Sequence, residues 1–204
     1  MKNIFLYWIF LASILVSCST LDVDSIDNYC EPQKALLVID MQIDYIDKNG
    51  RFPINHNQID NLILNTNNII EEFYQNGYTI IYLRNIFRRN DIKNIFRNFA
   101  VIEGTPGAEI DPGINIVSGN IFDKYKPDAF SSNDFNNFLI ENQINELFLC
   151  GVMADECVYY TALGAVNRNY IVNFYINAVG SSNNKNIENA VNKLKNKGVN
   201  IIRY

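Results

Sequence analysis

The chain has 204 residues, is 48% hydrophobic and 19% charged, and carries a formal net charge of −5 with a single histidine. That length suits one globular domain with a core large enough to stand without disulfide or metal staples. The acidic balance argues against a nucleic-acid protein, which presents a basic face. With His56 alone, a multi-histidine metal site is impossible, and a Ser-His-Asp enzyme would rest wholly on that residue. The four cysteines, Cys18, Cys30, Cys150 and Cys157, lack the close Cys-x-x-Cys pairs of a zinc site.

The chain opens "MKNIFLYWIFLASILVSC": Lys2, an apolar stretch from Ile4 to Val16, then small residues. This is the layout of a secretory signal over residues 1–17. It is shorter than the roughly 20 apolar residues a spanning helix needs. The ending Leu15-Val16-Ser17-Cys18 resembles the bacterial lipobox, in which the cysteine is lipidated and becomes the first residue of the mature chain. The alternative is an uncleaved N-terminal anchor with Cys18 incidental. The lipobox reading implies export and a lipoprotein anchored to a bacterial membrane through Cys18, on the periplasmic or surface face. Each buried acyl methylene would contribute about 0.8 kcal/mol to that anchoring. Residues 18–33, polar and acidic, read as a tether, and residues 34–204 as the domain. Export would place the domain in an oxidising compartment. With Cys18 lipidated, three cysteines remain, so at least one thiol stays free or pairs between chains.

Beyond the tether, apolar runs alternate with helical patterns. "KALLVID" (34–40), "YTIIYLRN" (78–85), "INELFLCG" (144–151), "YIVNFYIN" (170–177) and "VNIIRY" (199–204) lack polar alternation, as expected of strands buried on both faces of a parallel sheet. "GNIFDK" (119–124) is a weaker strand. Residues 58–77 place Ile59, Leu62, Ile63, Thr66, Ile70 and Phe73 on one helical stripe, with Gly77 as a stop. Helices are also predicted over 131–143, 155–169 and 184–198. The third of these four helices carries small residues at 161, 162, 164 and 165, which would let it lie close to a sheet. His56 falls on a loop before the first helix and reads as solvent-exposed. Residues 86–118 are irregular. The expected fold is α/β: a doubly wound, mainly parallel sheet of about six strands flanked by helices in three layers.

In open parallel sheets, sites lie at the carboxyl ends of the strands. Three strand ends carry reactive groups: Asp40, Lys124 and Cys157, the last at the start of a helix. A helix N-terminus stabilises a thiolate, a nearby carboxylate can take the thiol proton, and an ammonium can hold the resulting charge. This set needs no histidine. Lys126 is the rival of Lys124. Cys150 ends an apolar strand and reads as packing, and Cys30 has no assigned role.

The stretches "ALLVIDMQIDY" (35–45), "VIEGTPGAEI" (101–110), "FDKYKPDAFSSNDFNNFL" (122–139) and "LFLCGVMADECVYYTALGAVNRNYIV" (147–172) together resemble the isochorismatase-like cysteine hydrolases, which include nicotinamidases and N-carbamoyl amide hydrolases. They occur in family order and cover nearly all of the chain after residue 33. The resemblance implies Asp40 as general base, Lys124 as catalytic lysine and Cys157 as nucleophile. It implies a cis Val152–Met153 peptide, an oxyanion hole from the Met153 and Cys157 backbone N–H groups, and Tyr45 in the substrate pocket. The implied reaction is hydrolysis of a small amide or ureide C–N bond through a thioester, with no cofactor and no metal. The implied partners are a small-molecule substrate and a second copy in a homo-oligomer. Three features depart from the family. The region after the second strand, "LRNIFRRNDIKNIFRNF", lacks the Asp-x-His set of metal-dependent nicotinamidases. Ala154 replaces a threonine, and Asn177 stands where an aspartate is common. Arg84, Arg88, Arg89 and Arg97 form a basic run suited to an anionic substrate. Competing readings are a non-catalytic lipoprotein binding module and an isochorismatase-type vinyl ether hydrolase.

Overall fold

A computed structural model of the protein describes Ile26 and residues 29–204. The signal reading over 1–17 and the lipidation site Cys18 lie outside the described residues. Among the described residues, no helix is long and apolar enough to cross a membrane.

Six strands form one all-parallel sheet: β1 (Gln33–Ile39), β2 (Thr79–Asn85), β3 (Ile121–Lys124), β4 (Ile144–Val152), β5 (Ile171–Gly180) and β6 (Asn200–Ile202). Their spatial order is β3-β2-β1-β4-β5-β6. The helices are α1 (Ile43–Ile46), α2 (His56–Gln75), α3 (Asn133–Glu141), α4 (Cys157–Val166) and α5 (Asn184–Lys195). The chain first builds outward from β1 through β2 to β3. It then returns to place β4 on the other side of β1. The strand order therefore reverses between β1 and β4, and a crevice opens there beyond their carboxyl ends.

The unbroken apolar runs follow from burial on both faces. Along β1, Ala35, Leu37 and Ile39 pack with the α3, α4 and α5 side chains. Leu36 and Val38 pack on the other face with Ile59, Leu62, Ile69, Ile70 and Phe73 of α2. Ile26 and Tyr29, within the acidic N-terminal stretch, also lie against the first of these layers. Residue 77 closes α2 as expected: the helix ends at Gln75, and Gly77 takes φ +69°. His56 is exposed, but it is the first residue of α2 rather than part of the preceding loop, because the Asn55 side chain caps the Asn57 N–H.

Small residues bring two elements close at the crevice. Thr161, Ala162, Gly164 and Ala165 of α4 are all buried. A Cβ on Gly164 would lie 2.5 Å from the Asp128 carboxylate, so the loop after β3 can rest on α4 only at a glycine. Gly151 on β4 is more constrained. Its φ is +115°, and a Cβ there would meet the Ile39 carbonyl oxygen. Gly151→Ala is expected to destabilise the fold by about 3 kcal/mol or more, measured by the midpoint of denaturant unfolding. A near-neutral result would mean that β1 and β4 can separate without loss.

Candidate active site

Three strand ends deliver three side chains to the crevice. Asp40 follows β1 directly, and its N–H bonds to the Leu83 carbonyl at 2.8 Å. Its φ of +53° is left-handed, which is uncommon for a residue with a Cβ and recurs at functional sites. Lys124 is the last residue of β3, in register with Asn85 of β2. Its Nζ donates to Asp40 Oδ2 at 2.9 Å, with side chains 0% and 1% exposed. Cys157 is the first residue of α4 and is 7% exposed. Asp40 and Lys124 both act on its thiol. Asp40 Oδ1 is buried and has no partner of ordinary hydrogen-bond geometry. The rival Lys126 is exposed and makes no bond to Asp40; it lies on the cavity lining, and its carbonyl accepts from Lys124 Nζ at 3.4 Å.

The electrostatics differ from the simple expectation of a helix-stabilised thiolate. Burial pushes the Cys157 thiol up to about 12, and the Asp40 charge adds to this, while Lys124 only partly offsets both. Burial likewise raises the Asp40 carboxyl, against the pull of Lys124. Burial works against the charge on Lys124, but Asp40 and Cys157 more than offset it and hold the ammonium protonated. The resting state is therefore a neutral thiol beside a buried ion pair, with a carboxylate made more basic than usual. The rate of Cys157 alkylation by iodoacetamide is expected to climb steadily with pH from 6 to 10, because only the thiolate reacts. A plateau near neutral pH would contradict this picture. Cys150 is equally sealed: it is 0% exposed, and burial raises its thiol to about 12.

The turn between β4 and α4 supplies backbone donors. The Val152–Met153 peptide is cis. The Ala154 N–H bonds to the Gly180 carbonyl at 2.8 Å, and the Glu156 and Val158 N–H groups both turn back to the Met153 carbonyl. Among the described residues, the Met153 and Cys157 N–H groups meet no acceptor. Both residues line the cavity that the Cys157 thiol borders.

Asp40, Met153 and Cys157 line a cavity of about 560 Å³, with Lys124 buried behind Asp40. Tyr45 lies in its wall, and its hydroxyl accepts a 3.3 Å bond from Asn85 Nδ2. Burial, then the nearby Asp40 and Cys157, raise the Tyr45 hydroxyl well above its ordinary value. Gln42 fixes this corner, accepting from the Asn85 N–H at 2.9 Å and donating to the Asn85 and Ala108 carbonyls at 3.0 and 2.7 Å. Pattern reading missed Asn85, Phe52 and Phe87. Asn85 ends a strand run, so the strand-end rule that found Asp40 points to it as well. Phe52 and Phe87 come from loops with no periodic signal.

Of the four arginines, only Arg97 lines the cavity. Arg84 is bound by Asp123 and Glu109 at 2.8 Å each. Arg88 lies over the Tyr125 ring, and Arg89 donates to the Glu103 carbonyl. Ala154 is fully buried in the core, away from the cavity wall. Asn177 lies within β5 and ties it to the C-terminus, its Oδ1 accepting from the Tyr204 N–H at 3.0 Å. Neither departure therefore alters the cavity lining.

Comparison with known proteins follows the same geometry. The isochorismatase domain family matches residues 34–204. The chain belongs to the isochorismatase family. Among relatives of this isochorismatase-family chain, an uncharacterized isochorismatase family protein of Bacillus subtilis is 28% identical over 138 residues, covering 67% of this chain and 72% of the relative. A probable inactive nicotinamidase of Arabidopsis thaliana is 31% identical over 150 residues, covering 67% and 74%. The solved nicotinamidase of Bacillus subtilis superposes with a TM-score of 0.74 at 26% identity, covering 84% of this chain and all of that one. Pyrazinamidase of Pyrococcus horikoshii, solved in complex with zinc, gives 0.75 at 25% identity, covering 85% and 100%. The six-stranded parallel sheet flanked by helices is thus that of the isochorismatase-like hydrolases.

A zinc ion does not suit the residues present here. Among the described residues, no three His, Cys, Asp or Glu side chains converge. Asp40 is already paired with Lys124. Past the end of β2, the cavity wall is formed by Phe87, with the Arg97 guanidinium 3.7 Å from the ring centroid. A cation there would face a fixed positive charge.

Proposed function

We propose that this isochorismatase-family domain is a cysteine amidohydrolase that cleaves the C–N bond of a small amide or ureide. The observation that carries the reading is the buried Asp40–Lys124 pair at 2.9 Å beside Cys157. Solved neighbours described as a nicotinamidase and a pyrazinamidase support a C–N hydrolase.

In the proposed reaction, Asp40 takes the thiol proton as the Cys157 sulfur attacks the substrate carbonyl. A neutral resting thiol makes the two events concerted, since a free thiolate is disfavoured by burial. The Met153 and Cys157 N–H groups bond the developing oxyanion. Asp40 then returns the proton to the leaving nitrogen, the C–N bond breaks, and a thioester on Cys157 remains. Water attacks the thioester with Asp40 again as base, releasing the acid and restoring the thiol. Lys124 holds Asp40 in place and favours its ionised form before each proton transfer. Tyr45 shapes the pocket.

The test is turnover of a panel of small amides and ureides, with Cys157→Ala as control. The vinyl ether reaction has no need of this thiol. A non-catalytic binding module would share the raised thiol pKa, so turnover and not alkylation separates it from an enzyme. Membrane attachment through Cys18 belongs to the same proposal. Cys18→Ser is expected to release the protein from membranes in its native host, and persistence in the membrane fraction would exclude a lipid anchor on Cys18.

A further inference from the structure

We infer that the substrate carries an anionic group, a carboxylate or its equivalent, which Arg97 and Lys93 bind on the cavity wall while its amide or ureide carbon meets Cys157. This deepens the amidohydrolase reading and rests on it.

A single short 3₁₀ helix, Ile92–Arg97, brings both cations to the cavity. Asp91 caps it, its Oδ1 accepting from the Lys93 N–H at 2.9 Å. Lys93 and Arg97 are four residues apart and both line the cavity, whereas Ile92, Ile95 and Phe96 point outward. Arg97 is held firmly. Its guanidinium lies over the Phe87 ring at 3.7 Å, and one nitrogen, Nη1, donates to Asp91 Oδ2 at 3.1 Å. A guanidinium has five N–H donors in a planar fork, so most remain for a ligand after that one bond. Stacking also fixes the plane of the fork, which lowers the ordering cost of a bidentate carboxylate contact.

The rest of the wall agrees. Lys126 adds a third cation, and Lys93 and Lys126 have no ion-pair partner among the described residues. The opposing charges are Asp40, paired with Lys124, and Glu156 on the cavity lining, with Asp91 beside it already bonded to Arg97. Glu156 is exposed to solvent, which screens its charge. The positive charge of Arg97 is felt as far as the Tyr45 hydroxyl, beside the reacting groups. Cys157 and Arg97 line the same cavity, whose volume of about 560 Å³ is that of a small-molecule site. In a chain of net charge −5, such a cationic wall is a local feature and not a reflection of composition.

The experiment compares matched substrates on the full chain in detergent: N-carbamoylglycine with N-propylurea, and succinamate with butyramide. The anionic member of each pair should have the higher kcat/KM, with the preference shrinking as salt is raised. Arg97→Ala should raise KM for the anionic member by roughly 10- to 100-fold, the worth of a charged hydrogen bond. The loss for the neutral member should be much smaller, so that the preference for the anionic member falls. Lys93→Ala, at an exposed position, should show a smaller effect of the same kind. Equal turnover of both members by the unaltered protein would overturn the inference, as would an Arg97→Ala loss shared by both. If no compound in the panel is hydrolysed, the amidohydrolase reading fails separately. Protection of Cys157 from iodoacetamide by succinate, lost in Arg97→Ala, then still decides whether the anion site exists.

Discussion

Cys157→Ala is expected to lower kcat/KM for any amide or ureide substrate by roughly 10⁴-fold or more, since removal of a nucleophile leaves only binding and oxyanion stabilisation. The structure makes the contrast with the other buried thiol sharp. Cys150 is sealed in β4, its Sγ 3.6 Å from the Leu37 carbonyl, and it does not line the cavity. Cys150→Ala should therefore keep its kcat, whatever it does to stability. Cys157→Ser is the more informative partner. A serine hydroxyl is far harder to deprotonate than a thiol, so Asp40 would be a poor base for it and activity should remain near the alanine level. Turnover unchanged in Cys157→Ala would end the thioester mechanism outright. The alanine variant should remain folded, because the side chain is small and the Met153 carbonyl still receives the Glu156 and Val158 N–H groups that shape the turn. A melting curve close to that of the unaltered chain would establish that the loss is chemical.

Lys124→Met should be both inactive and markedly less stable. Removing one partner of a buried ion pair leaves the other charge uncompensated and costs about 3–5 kcal/mol. Lys124 and Asp40 are 0% and 1% exposed, so solvent screens neither. The pH dependence gives this expectation a sign. Burial already raises the Asp40 carboxyl in the folded chain, and Lys124 is its main counterweight. Without that ammonium the folded-state pKa rises further, while the unfolded value stays near 3.9. A group raised on folding contributes fully below its unfolded pKa and loses that contribution as pH rises through the folded value. The instability of Lys124→Met should therefore be smaller at pH 5 than at pH 8, as read from urea midpoints. The double variant Asp40→Asn, Lys124→Met should regain part of the lost stability, because it removes both charges. A pH-independent loss, or no rescue in the double variant, would mean that lost packing rather than an unpaired carboxylate is responsible.

The sequence alone determined the order of strands and helices, because burial on both faces of a parallel sheet writes itself as unbroken apolar runs. β1 alternates between two core layers, and each layer needs an apolar side chain. The strand-end rule then brought Asp40, Lys124 and Cys157 to one edge. What it could not supply was distance and solvation. Lys124 and Lys126 are two residues apart on a weak edge strand, and only the register of β3 on β2, Asn85 against Lys124, sends the first inward and leaves the second exposed. The position of Cys157 at a helix N-terminus suggests an activated thiol, whereas its burial and the adjacent Asp40 charge, neither legible in the sequence, push it up to about 12. In the sequence, Arg84, Arg88, Arg89 and Arg97 form one basic run with nothing to tell them apart. Tertiary contacts with Asp123, Glu109, Tyr125 and the Glu103 carbonyl occupy three of them, and the Phe87 ring keeps the fourth in the cavity. Periodicity reports which face of an element is buried. It carries no information on which loop residues meet across the crevice, since those meetings depend on non-local contacts formed after the sheet is assembled.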